Sequence, residues 1–454
     1  MTDAAKMPQG QPGNVNEPVR ARNRSDISSA STRLLLSATG RELLDRLAME
    51  DVSQDRVLAL SASLRQEYPA ELVAAALTQQ ALRASAGAKF SRADRMLFTR
   101  AGLEQASSEL TARHAAARFA GSRLVADLCC GIGGNLAALA ALTRGPGLPP
   151  GGRARPGGDG IVVGVDTDLT SLEFALHNVS VYAPGVRVAV VCADVRQLPL
   201  RGLDAVFVDP ARRDDRGRLP AGHYRPALGW CLRLADEVGR ACIKAAPGLR
   251  RELVPAGWET EFVAVGRELK EALLWSPALA LGGATTRATV LPSGDTLAAS
   301  AAAEPRPTSR PARAAPDAGL SPSAAAGPVG PPGAYLLDPN PAVTRAGLVT
   351  DLAAITGTWQ IDPMIAFLSS DEPVRTPFAR TLRIVESAPW HEKRFARRLR
   401  ELGIGSADIR RRGLAGDVTR IHRRLGLHGP GAATIVLTRV ADKPWGLICE
   451  PLAD

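Results

Sequence analysis

Leu124-Val125-Ala126-Asp127-Leu128-Cys129-Cys130-Gly131-Ile132-Gly133-Gly134-Asn135 is the stretch on which the fold turns. Its first five residues form a short apolar run interrupted by one acid, the pattern of a buried strand. Glycines then punctuate the chain, and the run from Asn135 to Leu142 reads as a helix. Gly131 and Gly133 let the backbone come close to a ligand with no side chain between, and the helix start offers free amides. A strand, a glycine turn and a helix also open the dinucleotide folds. Two details separate this stretch from them. Asp127 precedes the glycines, where a dinucleotide fold needs only an apolar strand. Position 136, where the third glycine of Gly-x-Gly-x-x-Gly belongs, holds Leu136.

Working outward, Ile161 to Asp166, Val186 to Ala193, Ala205 to Val208 and Ala241 to Lys244 read as further strands, with helices at Leu172 to Val181 and Leu228 to Val238. More strands fit Thr260 to Val265, Leu269 to Trp275 and Ala288 to Leu291. Strands alternating with helices predict a parallel sheet covered on both faces, and such sheets bind ligands beyond the carboxyl ends of their strands. Asp127, Asp166, Asp194 and Asp209 all fall at that edge. Asp166 is placed to accept both hydroxyls of a ribose, and Asp194 to accept an adenine amino group. The alternative for each is a helix cap or a solvated loop position.

These residues resemble the class I methyltransferase superfamily: Asp127-x-x-x-Gly131-x-Gly133-Gly134, then Gly164-Val165-Asp166, Ala193-Asp194-Val195 and Val208-Asp209-Pro210. The turn ending in Asn135 is similar to the Gly-x-Gly-Gly-Asn turn of trimethylguanosine synthases. More narrowly, Lys89-Phe90, Phe98 to Ala106, Asp209-Pro210-Ala211-Arg212-Arg213, Glu268-Leu269-Lys270-Glu271 and Arg412-Gly413 resemble bacterial methyltransferases that carry a carboxy-terminal THUMP-like domain, over most of 85–275 and 334–453. That narrower family has Asp where Asn135 stands. The resemblance implies S-adenosylmethionine as cofactor, held by Asp127, Cys129, Gly131, Gly133, Gly134, Asp166 and Asp194. The expected fold is α/β: a doubly wound, Rossmann-like, seven-stranded methyltransferase sheet, with an N-terminal helical cap and a C-terminal α+β THUMP-like domain.

Asp209-Pro210 at the fourth strand end resembles the start of the Asp/Asn/Ser-Pro-Pro-aromatic motif of enzymes that methylate amino groups of nucleic acids. There the acid and the proline carbonyl accept hydrogen bonds from the target amine and aim its lone pair at the methyl group, which is positioning and electrostatics. The second proline and the stacking ring are missing here. Arg212 and Arg213 would hold phosphate or stack on a base, or else pair with Asp214 and Asp215. Carbon-5 pyrimidine methylation needs a cysteine nucleophile, and none lies near Asp209 in the sequence. Ribose 2′-oxygen methylation uses a Lys–Asp–Lys–Glu set, for which Asp209 and Lys244 stand at strand ends and Lys89 with Glu268 or Glu271 would complete it. A lysine held near other cations would have a lowered pKa and could take the hydroxyl proton. Lys244 as an ordinary strand-end lysine is the other option, and a nucleotide- or RNA-binding protein without catalysis is the reading from a different class.

The chain has 454 residues, with 45% hydrophobic and 4% aromatic, so a core of Ala, Val and Leu is expected. Residues 1–30 read as a disordered tail, 31–119 as a helical region, 120–297 as the methyltransferase domain, 298–333 as an Ala/Pro-rich linker and 334–454 as a separable basic domain. The formal net charge is +10, which favours an acidic partner or reflects free use of arginine. From Arg375 to Arg424 the sequence holds 14 Lys and Arg against 5 Asp and Glu. Arg394, Arg397 and Arg398 sit in the densest run, as expected of phosphate contacts to RNA. The six cysteines form no Cys-x-x-Cys pair and no zinc spacing, so no metal is expected. No apolar run approaches the ~20 residues needed to span a bilayer, and the first residues have no secretory pattern. A cytoplasmic location is therefore expected.

Overall fold

The computed structural model describes residues 28–52, 55–143, 160–214, 217–218, 223–300 and 327–452. The predicted tail up to residue 27, the Gly/Pro-rich loop over 144–159 and residues 301–326 of the predicted linker lie outside the described residues.

Helices open the described chain: α1 (Ser29–Leu36), α2 (Ala38–Leu47), α3 (Val57–Leu64), α4 (Ala70–Ala86), α5 (Arg100–Gln105) and α6 (Glu109–Ala117). Leu43, Leu44 and Leu47 pack with Leu72, Val73 and Ala76 in one core that also takes in Phe174 from the sheet half. Met49 and Leu58, though apolar, are 89% and 80% exposed. The reason is local: α2 stops at Leu47, and α3 buries only Leu64. Two buried amides fix the segment before α5, Asn178 tying it to the sheet half and Gln79 tying it to α4. Asn178 accepts from the Leu97 amide at 2.8 Å and donates to the carbonyls of Leu97 and Ile132 at 2.9 Å. Gln79 clasps the Phe98 backbone in the same way.

The sheet half runs β1 (Leu124–Leu128), α7 (Gly134–Thr143), β2 (Ile161–Asp166), α8 (Leu169–Tyr182), β3 (Arg187–Cys192), β4 (Ala205–Val208), the small hairpin β5 (Arg213–Asp214) and β6 (Gly217–Arg218), α9 (Leu228–Val238), β7 (Ala241–Ala245), β8 (Glu259–Val265), β9 (Glu268–Trp275), β10 (Ala284–Leu291) and β11 (Asp295–Ser300). The order across the sheet is β3-β2-β1-β4-β7-β9-β8-β10-β11. Pairing is parallel from β3 to β7, and β9 inserts antiparallel between β7 and β8. The strand expected at Ala288 to Leu291 is β10, and β11 is added beyond the expected strands, so the sheet has nine strands among the described residues where seven were expected. The reversed strand β9 leaves β8 parallel to β7, so the carboxyl ends of β1, β4, β7 and β8 share one edge.

Glu259 and Glu261 of β8 are fully buried. Arg118 answers both at 2.8 and 2.9 Å, Arg287 reaches Glu259 at 2.6 Å and His114 reaches Glu261 at 2.8 Å. Burial pushes the Glu261 carboxyl up, but His114, Arg118 and Thr289 outweigh it and bring it down to about 2.

A second sheet follows, from β12 (Tyr335–Pro339), α10 (Pro341–Ala346), α11 (Val349–Thr356), β13 (Trp359–Gln360), β14 (Leu368–Ser370), β15 (Ala379–Pro389), α12 (Glu392–Glu401), β16 (Ile404–Arg411), α13 (Val418–Leu425), β17 (Gly431–Val440) and β18 (Lys443–Pro451), in the order β13-β14-β12-β15-β18-β17-β16. It is not an independent body. Leu337, Val343, Leu348 and Leu352 belong to the same apolar cluster as Trp258, Phe262 and Leu274 of the first sheet. Arg345 donates to the carbonyls of Pro247 and Leu249, Arg251 donates to the Ala346 carbonyl, and Asn340 donates to the Gly266 carbonyl at 2.8 Å. The expectation of a separable last domain is corrected by this shared core. Burying a Leu or Val side chain contributes about 1.5–3 kcal/mol, and several residues lose that term together if the halves part. A fragment from Ala334 to Asp454 is therefore expected to aggregate or to bind a hydrophobic dye such as ANS. A monomeric fragment with a cooperative melt and no dye binding would contradict the shared core.

Candidate active site

The cofactor turn is built from backbone strain and close approach. Cys129, Gly131 and Gly133 all have left-handed φ, at 62°, 51° and 83°, a region that costs a residue with a Cβ. Hydrogen bonds from Cys130 to the Val165 carbonyl at 3.0 Å and from Gly133 to the Cys130 carbonyl at 2.9 Å hold the turn. A Cβ on Gly133 would stand 2.9 Å from the Cα and Cβ of Ala175 on α8, whereas one on Gly131 would meet nothing within 4 Å. The turn is therefore pressed against α8 on one side and open on the other. Gly134 begins α7.

The acids at the carboxyl edge have different surroundings. Asp127 is fully buried, and neither carboxylate oxygen has a hydrogen-bond partner among the described residues. Burial pushes its pKa well above the usual range, Asp209 and Asp166 add to that, and Lys244 opposes it. Asp166 accepts the Gly131 amide at 2.9 Å and the Asp168 amide at 3.0 Å, and burial raises its pKa too. Asp194 accepts the Arg196 amide at 3.0 Å and pairs with the Arg196 side chain, which lowers its pKa. Cys129 is half-buried, and burial pushes its thiol well above the usual range, so it is no thiolate at neutral pH.

Next to them, Lys244 Nζ lies 2.6 Å from Asp209 Oδ2, the lysine being 6% exposed. Burial works against the ammonium, but Asp209 and Glu271 outweigh burial and Arg212, so the Lys244 pKa is raised. The lowered pKa expected of a lysine held near other cations falls on Lys89 instead, where burial and the charges of Lys244 and Lys270 bring it down. Around Lys244 the carboxylates outweigh the one cation, Arg212, that opposes them. Of the four-membered set, Asp209, Lys244 and Glu271 come together, and Lys89 lies within electrostatic reach of Lys244. The Lys89 ammonium itself donates to the carbonyls of Leu103 and Glu104 in the last turn of α5 and of Ala106 just past it, at 2.7, 3.1 and 3.2 Å. Glu268 is exposed and pairs with Lys270 at 2.6 Å. Glu271 is the buried glutamate of the site, its pKa raised by burial and by Asp209.

Pro210 is buried and leads into Ala211, which exchanges two backbone hydrogen bonds with Arg225 at 2.8 and 3.0 Å. Arg212 is partly buried in this loop, and Arg213 stands in β5 with its side chain outside the described residues. Tyr224, which sequence reasoning passed over, is 6% exposed and accepts the Ala246 amide at 3.1 Å. Its signal was an aromatic residue downstream of Asp209-Pro210, too far along the chain to fit the motif.

The comparisons with known proteins fit this architecture. Over 351 residues, 76% of this chain and 85% of theirs, the chain is 36% identical to proteins of two Mycobacterium tuberculosis strains, each bearing the name uncharacterized S-adenosylmethionine-dependent methyltransferase. The chain belongs to the S-adenosylmethionine-dependent methyltransferases. A crystal structure from Porphyromonas gingivalis W83, provisionally named a methyltransferase, shares the fold with this methyltransferase. It has TM-score 0.68 and 20% identity over 94% of this chain and 98% of its own. Residues 379–451 of the methyltransferase match the family described as THUMP domain-like, and 28–86 match a domain of unknown function.

In that THUMP-like part the arginines expected to touch RNA lie on α12. Arg394 pairs with Glu386 at 3.5 Å, Arg397 with Glu401 at 3.6 Å, and Arg398 with Glu386 and Glu401 at 3.2 Å each. Each already has a carboxylate partner. Among the described residues, no group of three or more His, Cys, Asp and Glu side chains could hold a metal ion, and no helix is long and apolar enough to cross a membrane.

Asp127 yields a pH test. Its folded pKa is raised above the usual value near 3.8. Between those two values the native methyltransferase binds more protons than the unfolded chain, so Asp127 removes stability as pH climbs. Asp127→Asn is expected to gain stability over the parent in this window, more at pH 8 than at pH 4, in paired thermal melts. Equal melting temperatures at both pH values would show that Asp127 carries no such burden.

Proposed function

We propose that this methyltransferase transfers the methyl group of S-adenosylmethionine to a nitrogen of a nucleic acid base, with RNA as the acceptor. The observation that carries the reading is the Asp209–Lys244 pair beside the glycine turn. Lys244 takes Asp209 Oδ2 and stays protonated. It is thus a poor proton acceptor for a ribose hydroxyl, and the neutral Cys129 is a poor nucleophile for carbon-5 chemistry. Asp209 Oδ1, with no partner among the described residues, is left to accept a hydrogen bond from an amine.

Residues of this chain fit the cofactor. S-adenosylmethionine, when bound, supplies a methyl group on a cationic sulfur. Asp127 is an unpartnered buried carboxylate, and opposite charge nearby would draw its pKa back down. The open side of Gly131, with Cys129, Gly133 and Gly134, forms the cradle. Asp166 keeps lone pairs for ribose hydroxyls beyond the two amides it holds, and Asp194 borders the adenine end. On the acceptor side, Asp209 and the Pro210 carbonyl orient the target amine, and Lys244 fixes the Asp209 rotamer and its charge. As the amine nitrogen takes the methyl group, Asp209 steadies the positive charge that develops and can accept the proton released. Arg212 and Arg213 border the same loop. The THUMP-like match and the +10 charge support RNA as the substrate class. The free cysteines and the absence of a membrane-crossing helix among the described residues fit a cytoplasmic enzyme.

Asp209→Ala tests the assignment. With labelled S-adenosylmethionine and total RNA from a strain lacking the gene, the variant is expected to lose at least about a hundredfold in methyl transfer, the scale of one lost electrostatic contact in the transition state. Its affinity for S-adenosylhomocysteine, measured by calorimetry, should stay within a few-fold of the parent. Near-parental transfer by the variant would move the acceptor site elsewhere. A parent that labels no RNA nucleoside by mass spectrometry would remove RNA as the substrate.

A further inference from the structure

Four arginines from distant parts of the chain converge where the second sheet meets the first. Arg267 lies in the turn between β8 and β9, Arg380 is the second residue of β15, Arg410 lies near the end of β16 and Arg412 just beyond it. Arg267 reaches Asp338 at 2.7 Å and Arg412 reaches the same carboxylate at 2.9 Å. Arg410 reaches Asp408 at 2.9 Å and Arg380 reaches it at 3.8 Å. Two carboxylates thus serve four guanidinium groups. The two pairs are neighbours: burial lowers the Arg267 pKa, and the charges of Arg410 and Arg380 lower it further against the pull of Asp338.

An arrangement built only for stability would match charges one to one, because like charges at short range repel. Here an excess of positive charge is held in place. Arg412 is fixed from behind by its hydrogen bond to the Ala366 carbonyl at 2.7 Å and by the Phe367 ring, 4.6 Å from its guanidinium carbon. All four side chains keep between 27% and 45% of their surface exposed. A guanidinium has five N–H donors in a planar fork, so shared carboxylates leave donors over for a further anion.

The location gives the surplus charge a direction. The Arg267 turn follows the carboxyl end of β8, at the same sheet edge as Asp209 and Ala245. Across the sheet, β4, β7, β9 and β8 are consecutive. Strand register sets Glu261 level with Lys244 and Asp209, so at about 4.8 Å per strand and ~3.3 Å per residue the turn lies on the order of 20 Å from Asp209.

We propose that Arg267, Arg380, Arg410 and Arg412 form a phosphate-binding site between the two sheets, which takes the sugar–phosphate backbone of the acceptor and leads it toward Asp209. The site rests on the nucleic acid reading given above. Planar guanidinium forks match pairs of phosphate oxygens.

The test uses the full-length protein and a fluorescein-labelled single-stranded RNA of about 20 nucleotides, with anisotropy read across a potassium chloride series. Arg380→Gln with Arg410→Gln removes the two most exposed members and leaves the Asp338 link intact. Each single-strand phosphate contact contributes about 0.7 to the log–log salt slope, so this double variant is expected to flatten the slope by about 1.4. The triple variant Arg394→Gln, Arg397→Gln, Arg398→Gln is the comparison and should keep the parental slope. Unchanged S-adenosylhomocysteine affinity in both variants shows that they are folded. A parental slope in the double variant, or a flattening confined to the triple variant, overturns the proposal. If the parent binds no RNA, thermal shift with pyrophosphate separates the two ideas. Stabilisation lost in the double variant would keep the anion site and discard the nucleic acid reading, and no stabilisation would discard both.

Discussion

One ammonium group balances the carboxylates crowded at the carboxyl edge of the first sheet. Lys244 lies against Asp209 and within electrostatic reach of Asp127 and Glu271, all of them at least three-quarters buried. Burying several carboxylates together is costly unless charge is compensated or protons are taken up. The site does both: Lys244 remains charged, while Asp127 and Glu271 have raised pKa values. A sulfonium cofactor would bring a further positive charge to these carboxylates and draw their pKa values back down. Lys89, held by carbonyls at the end of α5, is a second ammonium within electrostatic reach of Lys244.

The geometry of that edge depends in turn on parts of the chain that never touch it. Tyr224 ties the loop after β4 to Ala246 at the end of β7. Arg345, from the second half, grips the next carbonyls, those of Pro247 and Leu249. The second half is thereby part of the wall behind the loop after β4, and its first helix, which precedes the THUMP-like match, completes the apolar face of the first sheet. This is why losing the second half would be felt as more than the loss of a binding module.

Much of the sheet was legible in the sequence because its signals are local. A strand such as Ile161 to Asp166 announces itself through six consecutive residues, and the glycine turn through φ values that only a few residue types tolerate. The acids at the strand ends were legible for the same reason. What depended on distant partners was not. Asp-Thr-Leu-Ala-Ala-Ser at β11 has little alternation and becomes a strand only by pairing with β10. Nothing in the sequence around Lys89 or Lys244 says whether carbonyls or carboxylates will face it. The arginines of α12 read as a phosphate surface because nothing local in the sequence says that Glu386 and Glu401, three to twelve positions from their partners, will fold against them.

The shared apolar cluster has a consequence for how the polypeptide is made. The first sheet is complete once Ser300 has left the ribosome, yet the face formed by Trp258, Phe262 and Leu274 waits for Val343, Leu352 and Ala353. At roughly 5–20 residues per second, that face stays wet for on the order of a few seconds. During this interval the nascent catalytic half presents a sticky surface that only its own later sequence can cover. Stalling or premature termination between these points should therefore yield a product more prone to clump than either a shorter or a finished chain.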